Sequence, residues 1–114
     1  ETHVAEYKNG KVKEFIISPE DAGLERASLE QIEGGDPEYN ANAIWDILNG
    51  KKNAYRDIVL LNASAALVVS NNATDLKDGV RIATKAIDTG IASEKLKKWI
   101  KLSNQKHPEP EENE

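Results

Sequence analysis

The sequence predicts an α/β fold in which a β-hairpin over residues 2–17 is followed by about four helices over residues 36–103. Three observations carry that prediction. Asn9-Gly10 separates two runs rich in β-branched and aromatic residues. Apolar residues recur at three- and four-residue spacing from Ala41 onward, the period of an amphipathic helix. Helix start and stop signals then punctuate the second half at regular distances. With 114 residues the chain suffices for one small domain or part of a larger one. Its hydrophobic content is 39% but its aromatic content only 5%, so the core must be built from Ile, Leu, Val and Ala.

The hairpin comes first. Asn-Gly is the strongest short hairpin signal, because a type I′ turn needs positive φ at both central residues. A two-residue loop pairs Lys8 with Lys11, Tyr7 with Val12, and so on outward to Thr2 with Ile17. The face carrying Val4, Phe15, Thr2 and Ile17 is the better core candidate, with Glu6/Lys13 as an opposite-charge pair at its rim. An isolated hairpin is marginal, so this one is expected to pack on other strands or helices. Pro19 ends the second strand, and Ser18 is placed to cap a short turn leading to Gly23. Residues 24–35 read as loop, anchored by Leu24, Leu29 and Ile32.

Four helices follow. Asp36 suits an N-cap and Pro37 the first helical position, where its missing N–H costs nothing. Ala41, Ile44, Trp45, Ile47 and Leu48 form one apolar side, and Gly50 suits a left-handed stop, with Lys51 and Lys52 beside the negative helix pole. Residues 55–70 form a second helix, apolar nearly all round and so expected at the buried centre. Ile58, Leu60, Leu61, Leu67 and Val68 would each contribute about 1.5–3 kcal/mol on full burial. A strand over 65–69 is the competing reading; length favours the helix. Thr74 caps a third helix over 75–89, with Leu76, Val80, Ala83 and Ile87 on one face and Gly79 as a mild internal weakness. Ser93 caps a fourth over 94–103, contacting the rest through Leu96, Trp99, Ile100 and Leu102. Its Lys95, Lys97, Lys98 and Lys101 read as a solvated face. From Asn104 the composition turns to Pro and Glu, which predicts a disordered acidic tail over 104–114.

Charge and composition exclude several functions. A net charge of −5 and a pI near 5.1 disfavour nucleic acid and anionic membrane as partners. Without cysteine there is no disulfide framework and no thiolate metal site. No apolar run reaches membrane-spanning length. Glu1 reads as a cut inside a longer protein, with a processed mature chain as the alternative. His3 and His107 lie far apart with no ligand cluster beside them, so a metal site from the pair is disfavoured. Ser64 and Ser70 lack a base partner. Glu20, Asp21 and Glu25 follow a strand end, where sites often form, but read better as capping and solvation residues. Arg56 is expected to pair with an acid elsewhere, and Asp57 to favour its helix dipole.

The stretch Glu33-Gly34-Gly35-Asp36 is the one motif that invites a ligand. Glycines at a helix start can cradle phosphate on free N–H groups. Against this, Asp36 competes for those amides. Glu30, Glu33 and Glu38 surround it with no Lys or Arg in residues 30–38, and the Lys-Ser/Thr of a P-loop is missing. A polyphosphate would meet about four negative charges. A capped turn is the favoured reading.

Several segments together carry a family resemblance: PEDAGL (19–24), GGDPEYNA (34–41), ILNGKKNAYRDIVLLNASAAL (47–67) and AIDTGIASEKL (86–96). They closely resemble the C-terminal part of anthranilate phosphoribosyltransferase, over about residues 2–100. The resemblance implies an enzyme that transfers phosphoribosyl from phosphoribosyl pyrophosphate to anthranilate in tryptophan biosynthesis. It implies a cytoplasmic protein that uses magnesium on the pyrophosphate and forms a homodimer through a small helical domain. This chain would be roughly the final third, with residues 1–103 belonging to the large α/β domain and contacting the rest of the parent chain. The family's Gly-Thr-Gly-Gly-Asp phosphate loop and Lys-His-Gly-Asn segment have no counterpart here. Its magnesium-holding Asp-Glu pair would fall just before the hairpin. No catalytic, substrate-binding or metal-binding residue is therefore carried over, no cofactor is assigned to this segment, and the segment alone is expected to be inactive. Two alternatives stand: a related phosphoribosyltransferase or nucleoside-phosphorylase-like parent with another acceptor, and a free-standing interaction module.

Overall fold

The computed structural model describes residues 1–106. The hairpin consists of β1 (Thr2–Lys8) and β2 (Lys11–Ile17), antiparallel, with Thr2 opposite Ile17 and Lys8 opposite Lys11 as the turn chemistry requires. Asn9 and Gly10 take φ of 53° and 74°, the left-handed pair of a type I′ turn. Val4, Glu6 and Ile17 are half-buried while Tyr7, Val12 and Ile16 on the other face are exposed, so the favoured face is the more covered one. The expected packing is not found, however. Among the described residues the strands contact mainly each other. The helices spend their apolar faces on one another, and Phe15 is left 36% exposed.

Ser18 leads into a short 3-10 turn, Pro19–Ala22, closed by Gly23 at φ 74°. A second such turn, Leu29–Ile32, interrupts the expected loop. Leu24 and Ile32 are partly buried as anchors, but Leu29 is 83% exposed and anchors nothing. Then come α1 (Pro37–Leu48), α2 (Ala54–Val69), α3 (Leu76–Asp88) and α4 (Ile91–Ser103). Asp36 caps α1 by accepting the Tyr39 N–H at 2.8 Å. Past its end, Gly50 N–H donates to Ile47 C=O and Lys51 N–H to Asp46 C=O, both at 3.0 Å. That pair of bonds is the Schellman stop, and Gly50 supplies its left-handed residue at φ 98°.

Two caps differ from expectation. Asp75, not Thr74, caps α3: its Oδ1 accepts the Asp78 N–H at 2.8 Å, while Thr74 N–H donates back to Asp78 Oδ2 at 3.0 Å. The fourth helix does not wait for Ser93. Gly90 at φ 83° turns the chain directly from α3 into α4, and Ser93 lies inside the helix. The strand alternative for 65–69 is overturned, because α2 runs unbroken to Val69.

The core is small. Ile47, Leu60, Ala83 and Ile87 are buried together, with Leu24, Tyr55, Leu67, Val80 and Ala92 packed around them. α2 is not enclosed on all sides. Its buried positions are Arg56, Leu60 and Ser64, every fourth residue, while Ile58, Val59 and Val69 are 38%, 43% and 81% exposed. The reason is that α3 alone covers it closely. On α1, Ile44 is half exposed and Ala41 exposed; on α4, Trp99, Ile100 and Leu102 face solvent. The radius of gyration is 17.9 Å, against about 13 Å for a compact domain near this length. The predicted acidic tail lies outside the described residues from His107 onward; Asn104, Gln105 and Lys106 follow α4 as an exposed end.

Candidate functional site

In the Gly-Gly turn ahead of α1, both backbone groups of Gly35 are engaged from within the chain. Gly35 N–H donates to Asn40 Oδ1 at 2.9 Å, and Asn40 Nδ2 donates to Gly35 C=O at 3.0 Å. Tyr55 O–H, from the first turn of α2, donates to Glu33 C=O. Neither glycine has positive φ; closeness is what selects them. A Cβ at Gly34 would stand 3.1 Å from Asn40 Oδ1, and one at Gly35 3.0 Å from the Tyr39 ring. The turn thus seats α1 against the start of α2. Burial, then the neighbouring Tyr39 and Glu33, pushes the Tyr55 hydroxyl above its usual range.

The acids after β2 have separate tasks. Arg26 Nε and Nη2 donate to Glu20 Oε1 and Oε2 at 3.0 and 3.2 Å, a forked exposed pair. That hydrogen bonding lowers the Glu20 carboxyl to about 2. Asp21 Oδ2 accepts the Ser18 N–H at 2.7 Å. Asp57 moves the other way: burial and the nearby Glu25 raise it, opposed by Arg56. The sequence gives no signal for the Arg26 fork.

Arg56 finds the distant acid that its sequence position leads one to expect. It is 4% exposed, and its Nη2 donates to Asp88 Oδ1 at 2.9 Å, tying α2 to the end of α3. Its Nη1 is buried with no hydrogen-bond partner among the described residues. Ser64 is fully buried and donates to Leu76 C=O at 2.9 Å, while Ser70 donates to Leu67 C=O at 3.1 Å. Both hydroxyls act on backbone carbonyls. Beside Ser64, Gly79 lets the two helices approach so closely that a Cβ there would lie 2.8 Å from Ser64 Cα, Cβ and Oγ. Gly79 is therefore a packing requirement, not a weakness; a small residue on each helix was the available sign of it.

An apolar groove of about 610 Å³ is bounded by α1, α2, α3 and the start of α4. Ile44, Val59, Ala63, Ala86 and Ala92 are among its walls, and Ser70 is its one polar residue. Such a surface accepts apolar side chains and offers a charged substrate nothing. Among the described residues no group of three or more His, Asp or Glu is placed to hold a metal ion. His3 is exposed on β1, and His107 lies outside the described residues.

Comparison with known proteins adds to this geometry. The family described as glycosyl transferase family, a/b domain, matches residues 1–93. Anthranilate phosphoribosyltransferase of Parvibaculum lavamentivorans is 54% identical over 104 residues, 91% of this chain and 30% of that protein. The protein of the same name from Methylocella silvestris is 50% identical over 103 residues, 90% of this chain and 30% of its own length. That of Beijerinckia indica is 54% identical over 102 residues, again 90% and 30%. The chain thus spans about 30% of the length of these curated relatives.

Proposed function

Because the chain belongs to the glycosyl transferase family, a/b domain, we propose that it is a segment of an anthranilate phosphoribosyltransferase. In this reading the whole enzyme transfers a phosphoribosyl group from phosphoribosyl pyrophosphate to the amine of anthranilate, in tryptophan biosynthesis. The observation that carries it is the 54% identity to the Parvibaculum protein of that name across 91% of this chain. The family alone leaves the acceptor open; the named relatives supply it.

The surfaces support a segment that works inside a larger body. The apolar groove, the uncovered hairpin and the exposed Trp99 and Ile100 are apolar area that a free-standing protein of this size would bury. The rest of the parent chain is the proposed partner for those faces. In this proposal the segment is the C-terminal third of a cytoplasmic, homodimeric parent, a reading supported by the resemblance of its motifs. The acidic balance supports the absence of nucleic acid from its partners. No helix of the described residues is long and apolar enough to cross a membrane.

Magnesium belongs in this proposal to the parent enzyme. The described residues do not fit it, since their carboxylates are spread over caps and ion pairs instead of converging. No chemical step is assigned to them. Their work is to hold the hairpin-to-helix scaffold on which the parent's site would be built.

The test mixes the chain with anthranilate, phosphoribosyl pyrophosphate and magnesium, alone and with a separately expressed upstream portion of the Parvibaculum enzyme. Phosphoribosylanthranilate, followed by loss of anthranilate fluorescence, is expected only in the mixture. Turnover by the chain alone would overturn the scaffold role. A stable mixture that binds the donor yet spares anthranilate would overturn the acceptor.

A further inference from the structure

The sequence contains two Asn-Gly pairs, Asn9-Gly10 and Asn49-Gly50. Asparagine followed by glycine is the sequence most open to cyclisation, because no Cβ shields the following amide nitrogen. We propose that Asn9 is a site of spontaneous covalent modification in the folded protein, deamidating through a succinimide, whereas Asn49 is protected by its fold. The inference is independent of the enzyme assignment.

Both pairs are exposed, so solvent access does not separate them. Backbone engagement does. Gly50 N–H is held by Ile47 C=O at 3.0 Å and Asn49 N–H by Trp45 C=O at 2.9 Å, inside the Schellman stop of α1. Gly10 N–H makes no hydrogen bond among the described residues, because in a two-residue turn the flanking Lys8 and Lys11 pair with each other. A side chain at Gly10 would meet nothing within 4 Å, so no neighbouring element packs on that side of the turn. Lys8 and Lys11, one on each side of the turn, favour the anionic amide nitrogen that attacks.

The step balances without a cofactor. Base removes the Gly10 amide proton, and the nitrogen forms a bond to Asn9 Cγ. The bond from Cγ to the side-chain nitrogen breaks, that nitrogen takes up the proton the base removed, and ammonia leaves. Water then opens the imide at either carbonyl, giving aspartate or isoaspartate at position 9. Aspartate keeps the turn, since Asp-Gly also suits type I′. Isoaspartate inserts an extra backbone carbon into a two-residue loop. A hairpin supported mainly by its own pairing cannot absorb that without losing its register.

The experiment incubates the intact chain in mildly alkaline buffer, native and in urea, and digests samples after acidic residues. Residues 7–14 and 47–57 are then followed by mass spectrometry, and isoaspartate is scored with a protein carboxyl methyltransferase. In urea the two peptides should convert at similar rates. In the native chain Asn9 should convert faster, roughly two- to tenfold, the worth of the hydrogen bond that Gly50 must first break. Asn9→Gly should abolish conversion in the first peptide and leave the second unchanged. Native conversion at Asn49 equal to or faster than at Asn9 would overturn the proposal, as would an unmodified position 9 after the urea sample has fully reacted.

Discussion

Replacing Gly79 with alanine tests the helix crossing that organises this chain. In an exposed helix interior Gly→Ala stabilises by about 1 kcal/mol. Here the new Cβ would meet Ser64 Cα, Cβ and Oγ at 2.8 Å. Ordinary carbon contacts begin at about 3.5 Å, so α2 and α3 must part by roughly 0.7 Å. Overpacking of this kind costs about 1–3 kcal/mol. Separation also loosens the 2.9 Å bond from Ser64 to the Leu76 carbonyl, worth about 1 kcal/mol. After the propensity gain, the net loss is about 1–3 kcal/mol, or roughly 4–8 °C of melting temperature per kcal/mol. Urea unfolding followed by helical circular dichroism gives the midpoint. A Gly79→Ala chain as stable as the parent, or more so, would refute the close-crossing account and restore Gly79 to a mere weak spot.

Three further predictions concern polar groups. Asp88→Ala should destabilise by about 1–2 kcal/mol by stranding the buried Arg56, and Arg56→Met by less, because an apolar side chain of similar volume removes the stranded charge; urea midpoints that reverse this order would contradict it. Glu20 should stay ionised down to a pH of about 2 in an NMR titration, and Arg26→Gln should return it toward 4.5. Because the folded value is the lower one, the pair's stabilisation is present above pH 4.5 and fades as pH falls through 2, and it is small for so exposed a pair. Asp36→Ala should cost about 1 kcal/mol through loss of the Tyr39 cap, seen as faster amide exchange in the first turn of α1.

Local chemistry was the legible part of this molecule. The hairpin register follows from Asn9-Gly10, and the ends of α1 follow from Asp36, Pro37 and Gly50, because each signal acts within a few residues of itself. What hydrophobicity states is which residues can be buried, not whether anything stands ready to cover them. Leu29, Val69 and Trp99 are apolar yet exposed for that reason, and α2 is apolar nearly all round with one side open. Gly79 reads from the sequence as a weakness and is a packing requirement, whereas Arg56 finds the distant acid expected of it, though the sequence does not say which one. The worth of Gly79 depends on Ser64, fifteen positions earlier, and that of Arg56 on Asp88, a full helix pair away. A small residue on each helix hints at the first pairing, but nothing within a few residues names either partner. At the Gly-Gly turn the favoured capped-turn reading agrees with the bonds from Asn40 and Asp36, though the role of Tyr55 in closing it was not foreseen.

The central claim is that this chain is a working segment of an anthranilate phosphoribosyltransferase. The most direct test exchanges it for the matching segment of the Parvibaculum lavamentivorans relative, of which it covers 30%, and measures phosphoribosylanthranilate formation by the purified chimera. The account predicts a folded enzyme that consumes anthranilate in the presence of phosphoribosyl pyrophosphate and magnesium. A folded chimera that binds the donor but leaves anthranilate untouched would contradict it.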